Sequence, residues 1–75
     1  MRKMVMEKLT LNINGEHDDF IVYDIISKIM TLDGVEDAEY DAGIELAKIT
    51  IDPEKVSKED IELAAKEEGY SVTFQ

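Results

Sequence analysis

The first regular pattern in the chain is a strict alternation of apolar and polar residues. Leu9, Leu11 and Ile13 are separated by single polar residues. This period of two predicts a β-strand with one buried face. Asn14 and Gly15 follow it and favour a turn.

The next pattern has helical spacing and extends over roughly residues 20–31. Asp18 or Asp19 can cap the start, because a short carboxylate accepts the free N–H groups of the first turn. Gly34 suits the exit, where a left-handed residue is often needed. The predicted core stripe is Ile21, Ile25, Ile29 and Leu32. A second set of apolar residues widens the arc to about 200°. This set is Val22, Tyr23, Ile26 and Met30.

Two further strands follow, joined by a predicted hairpin. The second strand extends from Val35 to Asp41, with Ala38 and Tyr40 inward and an acidic outer border. Ala42-Gly43 is the expected turn. The third strand buries Ala47, Ile49 and Ile51 and ends before Pro53.

The last third of the chain predicts a second helix and a short final strand. Ser57, with Asp60 three residues later, resembles a capping box at the helix start. The helix extends to about Glu68 and buries one face. That face is Ile61, Ala64 and Ala65, and the final strand presents Val72 and Phe74 inward.

The element order β-α-β-β-α-β predicts an α+β fold of the ferredoxin-like type. Its four antiparallel strands take the spatial order 4-1-3-2, with both helices on one face. Residues 1–75 form one predicted domain, and residues 1–4 are expected to be a loose N-terminal tail. The residues expected to be buried include Ile13, Ile25, Ile29, Ile49 and Ile61.

The composition excludes several classes of function. The 75 residues carry 18 acidic and 8 basic side chains, a net charge of −10. This charge repels nucleic acid and favours basic protein surfaces or cations as partners. The chain has no cysteine, which excludes disulfides, zinc fingers and a cysteine nucleophile. No apolar run approaches the ~20 residues of a membrane span, so we predict a soluble, cytoplasmic protein.

The spacing of several short motifs resembles the heavy-metal-associated domains of copper chaperones and heavy-metal ATPases. That family has a Gly-Met-x-Cys-x-x-Cys loop, a first helix ending near Leu-x-Gly-Val, and Gly-Tyr before the last strand. Here the loop starts at Gly15, Leu-Asp-Gly-Val occupies 32–35, and Gly69-Tyr70 precedes the last strand. Residues 51–57, Ile-Asp-Pro-Glu-Lys-Val-Ser, resemble the family's link into helix two. The resemblance covers roughly residues 8–74 without a gap.

The metal-binding residues of that family are absent from the loop. The family's Met position falls on Glu16, its first Cys on Asp18 and its second on Ile21. A carboxylate is a hard ligand and isoleucine is no ligand, so Cu(I) has no thiolate pair here. The resemblance therefore implies the family fold without its soft-metal cofactor. It also implies that Tyr70 lies beside the loop.

The residues of the loop support an alternative hypothesis, in which the loop binds a divalent metal ion. One imidazole and three carboxylates suit Zn(II), Ni(II) or Cu(II). The opposing interpretation is a solvated acidic loop in which one Asp caps the helix. The candidate ligands are Glu16, His17, Asp18 and Asp19.

A protein-interaction or regulatory role is the other hypothesis. The candidate partner-binding residues are Tyr23, Ile26, Met30 and Tyr70. Ala64 and Ala65 are small enough for the second helix to approach and cover part of this surface; otherwise it is an apolar patch for a protein partner or a weak homodimer. The acidic second strand is either a guarded sheet edge or a surface for a basic partner.

An enzyme is not expected. The sequence has no Ser-His-Asp arrangement and no glycine loop for phosphate. Acylphosphatases, which share the ferredoxin-like fold, need an arginine to hold phosphate, and the single arginine here is Arg2 in the predicted tail.

Overall fold

The predicted order of six elements is confirmed. The computed structural model describes residues 5–15 and 18–75, so the predicted tail over 1–4 lies outside the described residues. The elements are β1 (Glu7–Ile13), α1 (Asp19–Met30), β2 (Val35–Asp41), β3 (Leu46–Ile51), α2 (Lys58–Glu67) and β4 (Val72–Phe74). Within the described ranges, neither helix is long and apolar enough to cross a membrane.

The sheet has the predicted topology. Its strands lie in the order β2-β3-β1-β4, which is 4-1-3-2 in the other direction, and all neighbours are antiparallel. Leu9 lies opposite Ile49, and Leu11 lies opposite Phe74. The alternation of β1 therefore places its apolar side chains on the sheet face that the helices cover.

The core lies between that face and the two helices. All five isoleucines expected to be buried are buried. One detail of the α1 prediction is wrong: Val22 is fully buried with Ile25 and Ile29, whereas Ile21 and Leu32 are half-buried. Val22 lies three and seven residues before the other two, so it completes the stripe that faces the sheet. Ile21 shares a flank of α1 with Lys28, which pairs with Glu67 of α2. Leu32, beyond the end of α1, lies beside Leu63 and Ala64 of α2.

The connection between β2 and β3 also differs from the prediction. The turn spans four residues, 42–45, and its left-handed residue is Glu45 at φ 56° rather than a glycine. Gly43 donates its N–H to the Asp41 carboxylate at 3.0 Å. A side-chain acceptor therefore sets this turn, and Gly43 does not use its conformational freedom.

Gly34 has a steric role as well as the expected left-handed conformation. Its φ is 101°, and a Cβ at this position would lie 2.7 Å from the Cβ of Lys55. The Gly34 carbonyl also accepts the Asp52 N–H at 2.7 Å. The end of α1 is thus held tightly against the link between β3 and α2.

Candidate functional site

The loop between β1 and α1 is fixed where it leaves the sheet. The Asn14 side chain donates to the Thr73 hydroxyl at 2.9 Å and lies 3.3 Å from the Ser71 hydroxyl. Its backbone N–H donates to the Ser71 carbonyl at 2.9 Å. Gly15 follows at φ 90°, a conformation that favours glycine. The loop therefore starts beside the residue that follows Tyr70.

Only part of the predicted metal loop can be described. Glu16 and His17 lie outside the described residues. Asp18 is the N-cap of α1, and its Oδ1 accepts the Ile21 N–H at 3.0 Å. Asp19 is the first helical residue and is exposed. Among residues 5–15 and 18–75, no three His, Cys, Asp or Glu side chains converge into a possible metal site.

The side chains at the two cysteine positions of the resembled family do not fit Cu(I). Asp18 offers hard oxygen, and one of its oxygens is already used as a helix cap. Ile21 offers an aliphatic side chain, which is half-buried against the core. Cu(I) prefers soft sulfur ligands, so this pair cannot replace two thiolates.

The predicted partner-binding flank of α1 is largely uncovered. Tyr23 is 59% exposed and Met30 is 43% exposed, whereas Ile26 is half-buried against the core. Of the two interpretations of this surface, exposure holds for Tyr23 and Met30, and Ile26 is the partly covered member. Lys28 Nζ lies 2.9 Å from Glu67 Oε2, so α2 lies against the opposite flank of α1. The Glu67 hydrogen bond and charge raise the pKa of Lys28 above its usual value.

The exposed flank of α1 lies toward β2, the strand that contains Tyr40. Tyr40 lies on the helix side of β2 and is half-buried. Desolvation raises the pKa of Tyr40, and the nearby charges of Glu45 and Asp19 add to that effect, as does Tyr23. α1 packs against β2, whereas α2 lies against its other flank. The exposed flank of α1 faces the β2 edge of the sheet.

Tyr70, the fourth predicted partner-binding residue, has a packing role. It is half-buried against the core, and its N–H donates to the Ala65 carbonyl at 3.1 Å. Its position before Ser71 places its backbone next to the anchored start of the loop. Contact between Tyr70 and a partner stays a prediction.

Phe20 was not among the predicted site residues, and it is 80% exposed in the first turn of α1. The available signal was a large aromatic residue that lies outside the core stripe and directly follows the acidic loop. Ile44 is similarly exposed in the turn after β2. Because β1 and β2 are both antiparallel to β3, they end at the same edge of the sheet, so this turn lies at the same end as the β1–α1 loop.

Most of the negative charge belongs to the half of the chain that contains α1 and β2. Residues 9–47 include ten carboxylates but only one lysine and no arginine. The lysine, Lys28, is paired with Glu67 on the flank facing α2. The exposed flank of α1 and the β2 edge therefore lie in a strongly acidic part of the chain.

Several solved structures are similar to this chain. A protein from Bacillus anthracis, described as copper-ion-binding, is 31% identical, with 95% of this chain and 100% of that chain covered and a TM-score of 0.82. MerP from Ralstonia metallidurans is 20% identical, with 95% and 99% covered and a TM-score of 0.85. The N-terminal domain of a P-type ATPase described as copper-translocating, from Bacillus subtilis, is 22% identical, with 95% and 92% covered and a TM-score of 0.84. The last two show the shared fold alone.

No protein-family model matches the sequence, and no curated protein matches it.

Proposed function

Because the chain belongs to the heavy-metal-associated domain family, as its 31% identity over the whole of the Bacillus anthracis protein shows, we propose that it uses this scaffold as a protein-interaction or regulatory module and does not carry Cu(I). The supporting observation is the bond between Asp18 and Ile21. These residues occupy the family's two cysteine positions, and the Asp18 carboxylate accepts the Ile21 N–H. A helix cap takes the place of the metal ligands.

The exposed flank of α1 is the proposed contact surface. Tyr23 and Met30 form an apolar strip that begins near the loop and reaches the C-terminal end of α1, with Ile26 half-buried between them. A small apolar centre with a charged surround is typical of transient protein interfaces. One of the structures compared above is a domain of a P-type ATPase, so this fold also occurs as a part that works with further protein domains. A non-catalytic role and cytoplasmic residence belong to the same proposal.

A capture experiment tests the contact surface. The native protein, a Tyr23→Lys/Met30→Lys variant and a Leu63→Lys variant are immobilised and exposed to the same cell extract. Leu63 is the matched control, because it is 59% exposed on α2, away from the proposed surface. We expect the native and Leu63→Lys proteins to retain a partner that the α1 variant loses. Identical capture by all three would contradict the proposed surface.

Divalent-metal binding by the acidic loop is the competing function. Zn(II), Ni(II) and Cu(II) are added in turn, and amide NMR shifts are followed residue by residue. If the loop binds an ion, His17 should be its strongest ligand, so His17→Ala should abolish shifts over residues 16–19. Our proposal expects scattered shifts on all acidic surfaces that His17→Ala does not change, as diffuse counterion attraction produces.

A further inference from the structure

The outer edge of β2 is open to a further strand. β2 pairs with β3 on one side, and no described strand lies on its other side. Alternate residues of an edge strand direct N–H and C=O groups away from the sheet. The other edge strand, β4, is shorter: it has three residues against seven in β2, and Lys58 lies over its Phe74 ring at 5.6 Å. The longer free edge is therefore β2.

The exposed flank of α1 lies alongside this open edge. α1 packs against β2 and has α2 on its other flank, so Tyr23 and Met30, which share the flank away from α2, lie on the β2 side. A strand added to β2 would direct every second side chain toward this flank. Those side chains would contact Tyr23 and Met30, so apolar residues fit there.

The opposite face of β2 favours basic residues in the same strand. Asp37 and Glu39 lie on the open face of the sheet, in a shallow groove with Lys8, Lys48 and neighbouring threonines. Asp41 continues their alternation, and of these three carboxylates only Glu39 lies opposite a lysine, Lys48 of β3. Directly opposed cross-strand side chains lie about 4.5–5.5 Å apart, and opposite charges there are favourable. Lysine or arginine would therefore match these positions.

The same charge argues against a second copy of this chain as the occupant. Pairing β2 with β2 of another copy would oppose carboxylate to carboxylate along the ladder, which is destabilising. The occupant must differ from this chain in charge, and it must be extended rather than helical to use the free backbone groups.

We propose that the β2 edge binds an extended segment of a partner protein in which apolar residues alternate with lysine or arginine. The apolar residues pack under α1, the basic residues lie beside Asp37, Glu39 and Asp41, and backbone hydrogen bonds join the segment to β2. Strand addition of this kind derives affinity from the main chain and specificity from alternate side chains. This inference rests on the proposed interaction function and specifies its partner.

Two synthetic peptides of identical composition test the alternation. In one, valine and lysine alternate; in the other, the valines and lysines form separate blocks, so total charge and apolar content are equal. We expect the alternating peptide alone to slow hydrogen exchange at alternate amides of β2 and to shift the Tyr23 and Met30 resonances. Equal binding of both peptides, with shifts over all acidic surfaces, would overturn the proposal.

Charge reversal on β2 tests the orientation. Glu39→Lys should weaken binding of the alternating peptide roughly three- to tenfold, because a favourable cross-strand pair becomes a repulsive one. Asp41→Lys provides a second variant should Glu39→Lys disturb the fold. Glu62 is exposed on α2. Glu62→Lys changes the net charge by the same amount and should leave the affinity for the alternating peptide close to that of the native protein. Equal weakening by all three variants would show only long-range attraction and would overturn the proposal.

The two proposals can fail separately. If the Tyr23→Lys/Met30→Lys variant loses its partner but neither peptide slows hydrogen exchange in β2, strand addition is wrong and the interaction function stands. If the α1 variant retains its partner, the proposed contact surface itself is wrong.

Discussion

The two helices pack on the same sheet but differ in what they leave exposed. α2 is amphipathic: Ile61, Ala64 and Ala65 are buried, and Leu63 is its one large apolar residue left exposed. α1 buries an equal number of residues, yet it also exposes the large apolar side chains of Phe20, Tyr23 and Met30. Burial in the core therefore explains every large apolar residue of α2 except Leu63, whereas it leaves three such residues of α1 unexplained.

The difference between the helices has a structural origin. α2 lies against one flank of α1, where Lys28 pairs with Glu67, and this leaves the other flank toward the β2 edge. Apolar exposure and negative charge therefore occur together on the α1–β2 side. A surplus of apolar surface at one place, rather than scattered single residues, is the usual sign of an interaction site.

The largest expected effect comes from core substitutions, which test whether the two helices are equally well packed against the sheet. Ile25 and Ile61 are both fully buried. Ile25→Ala and Ile61→Ala should each lower the free energy of unfolding by about 2–5 kcal/mol through lost burial and a cavity. A domain of this size has about 4–11 kcal/mol in total, so either variant is close to unfolding. Urea denaturation measures both; a loss below about 1 kcal/mol for only one of them would show that its helix is loosely packed.

The helix caps should have the next largest effect. Asp18 caps α1 with one bond, whereas Ser57 and Asp60 cap α2 with reciprocal bonds. Asp18→Ala and Ser57→Ala should each destabilise the protein by about 1 kcal/mol. Thermal and urea unfolding provide the measurement. An unchanged stability of Asp18→Ala would indicate that Asp18 is free for another role, including metal binding.

The fold was predictable because its signals are local. Alternation in β1 and β3, helical spacing in α1, and the Ser57-Asp60 box each agree with the overall topology. Two details were not predictable from local rules. Helical spacing allowed Ile21 or Val22 to face the sheet, and only the position of α2 decides between them. The left-handed conformation of Glu45 could not be inferred either, because glycine was available two residues earlier.

The candidate site was less predictable than the fold. The absence of cysteine excluded the family's thiolate chemistry from the sequence alone. The exposure of the α1 flank depends on which side α2 occupies, a tertiary relation that no spacing in α1 encodes. Phe20 was missed because its position outside the core stripe offers no folding signal.

Surface substitutions on the two helices should have small and equal effects on stability. Met30→Lys on α1 and Leu63→Lys on α2 each replace a substantially exposed apolar residue, so each should change the unfolding free energy by about 0.5 kcal/mol or less. Ile26→Lys should cost more, because Ile26 is half-buried. If Met30→Lys instead destabilises the protein by several kcal/mol, Met30 belongs to the core and the surface proposal fails.

The smallest effect concerns pH. The pKa of Tyr40 is raised in the folded protein, so its contribution is fully present below the unfolded value of about 10 and is lost as pH rises through the folded value. The pKa of Lys28 is also raised in the folded protein, so its contribution to stability is likewise lost at high pH. Stability should therefore fall above about pH 10, and Tyr40→Phe should make that fall shallower than in the native protein. Identical pH profiles for the two would contradict the desolvation of Tyr40.

Competition for Cu(I) tests the central claim most directly. The native protein and an Asp18→Cys/Ile21→Cys variant are each mixed with Cu(I) and a moderately tight Cu(I) chelator. The account predicts that the chelator keeps the copper in the presence of the native protein, whereas the variant, with two thiolates restored on the family scaffold, retains one Cu(I) per chain. Stoichiometric retention of copper by the native protein would contradict the account and would direct attention to Met1, Met4 and Met6.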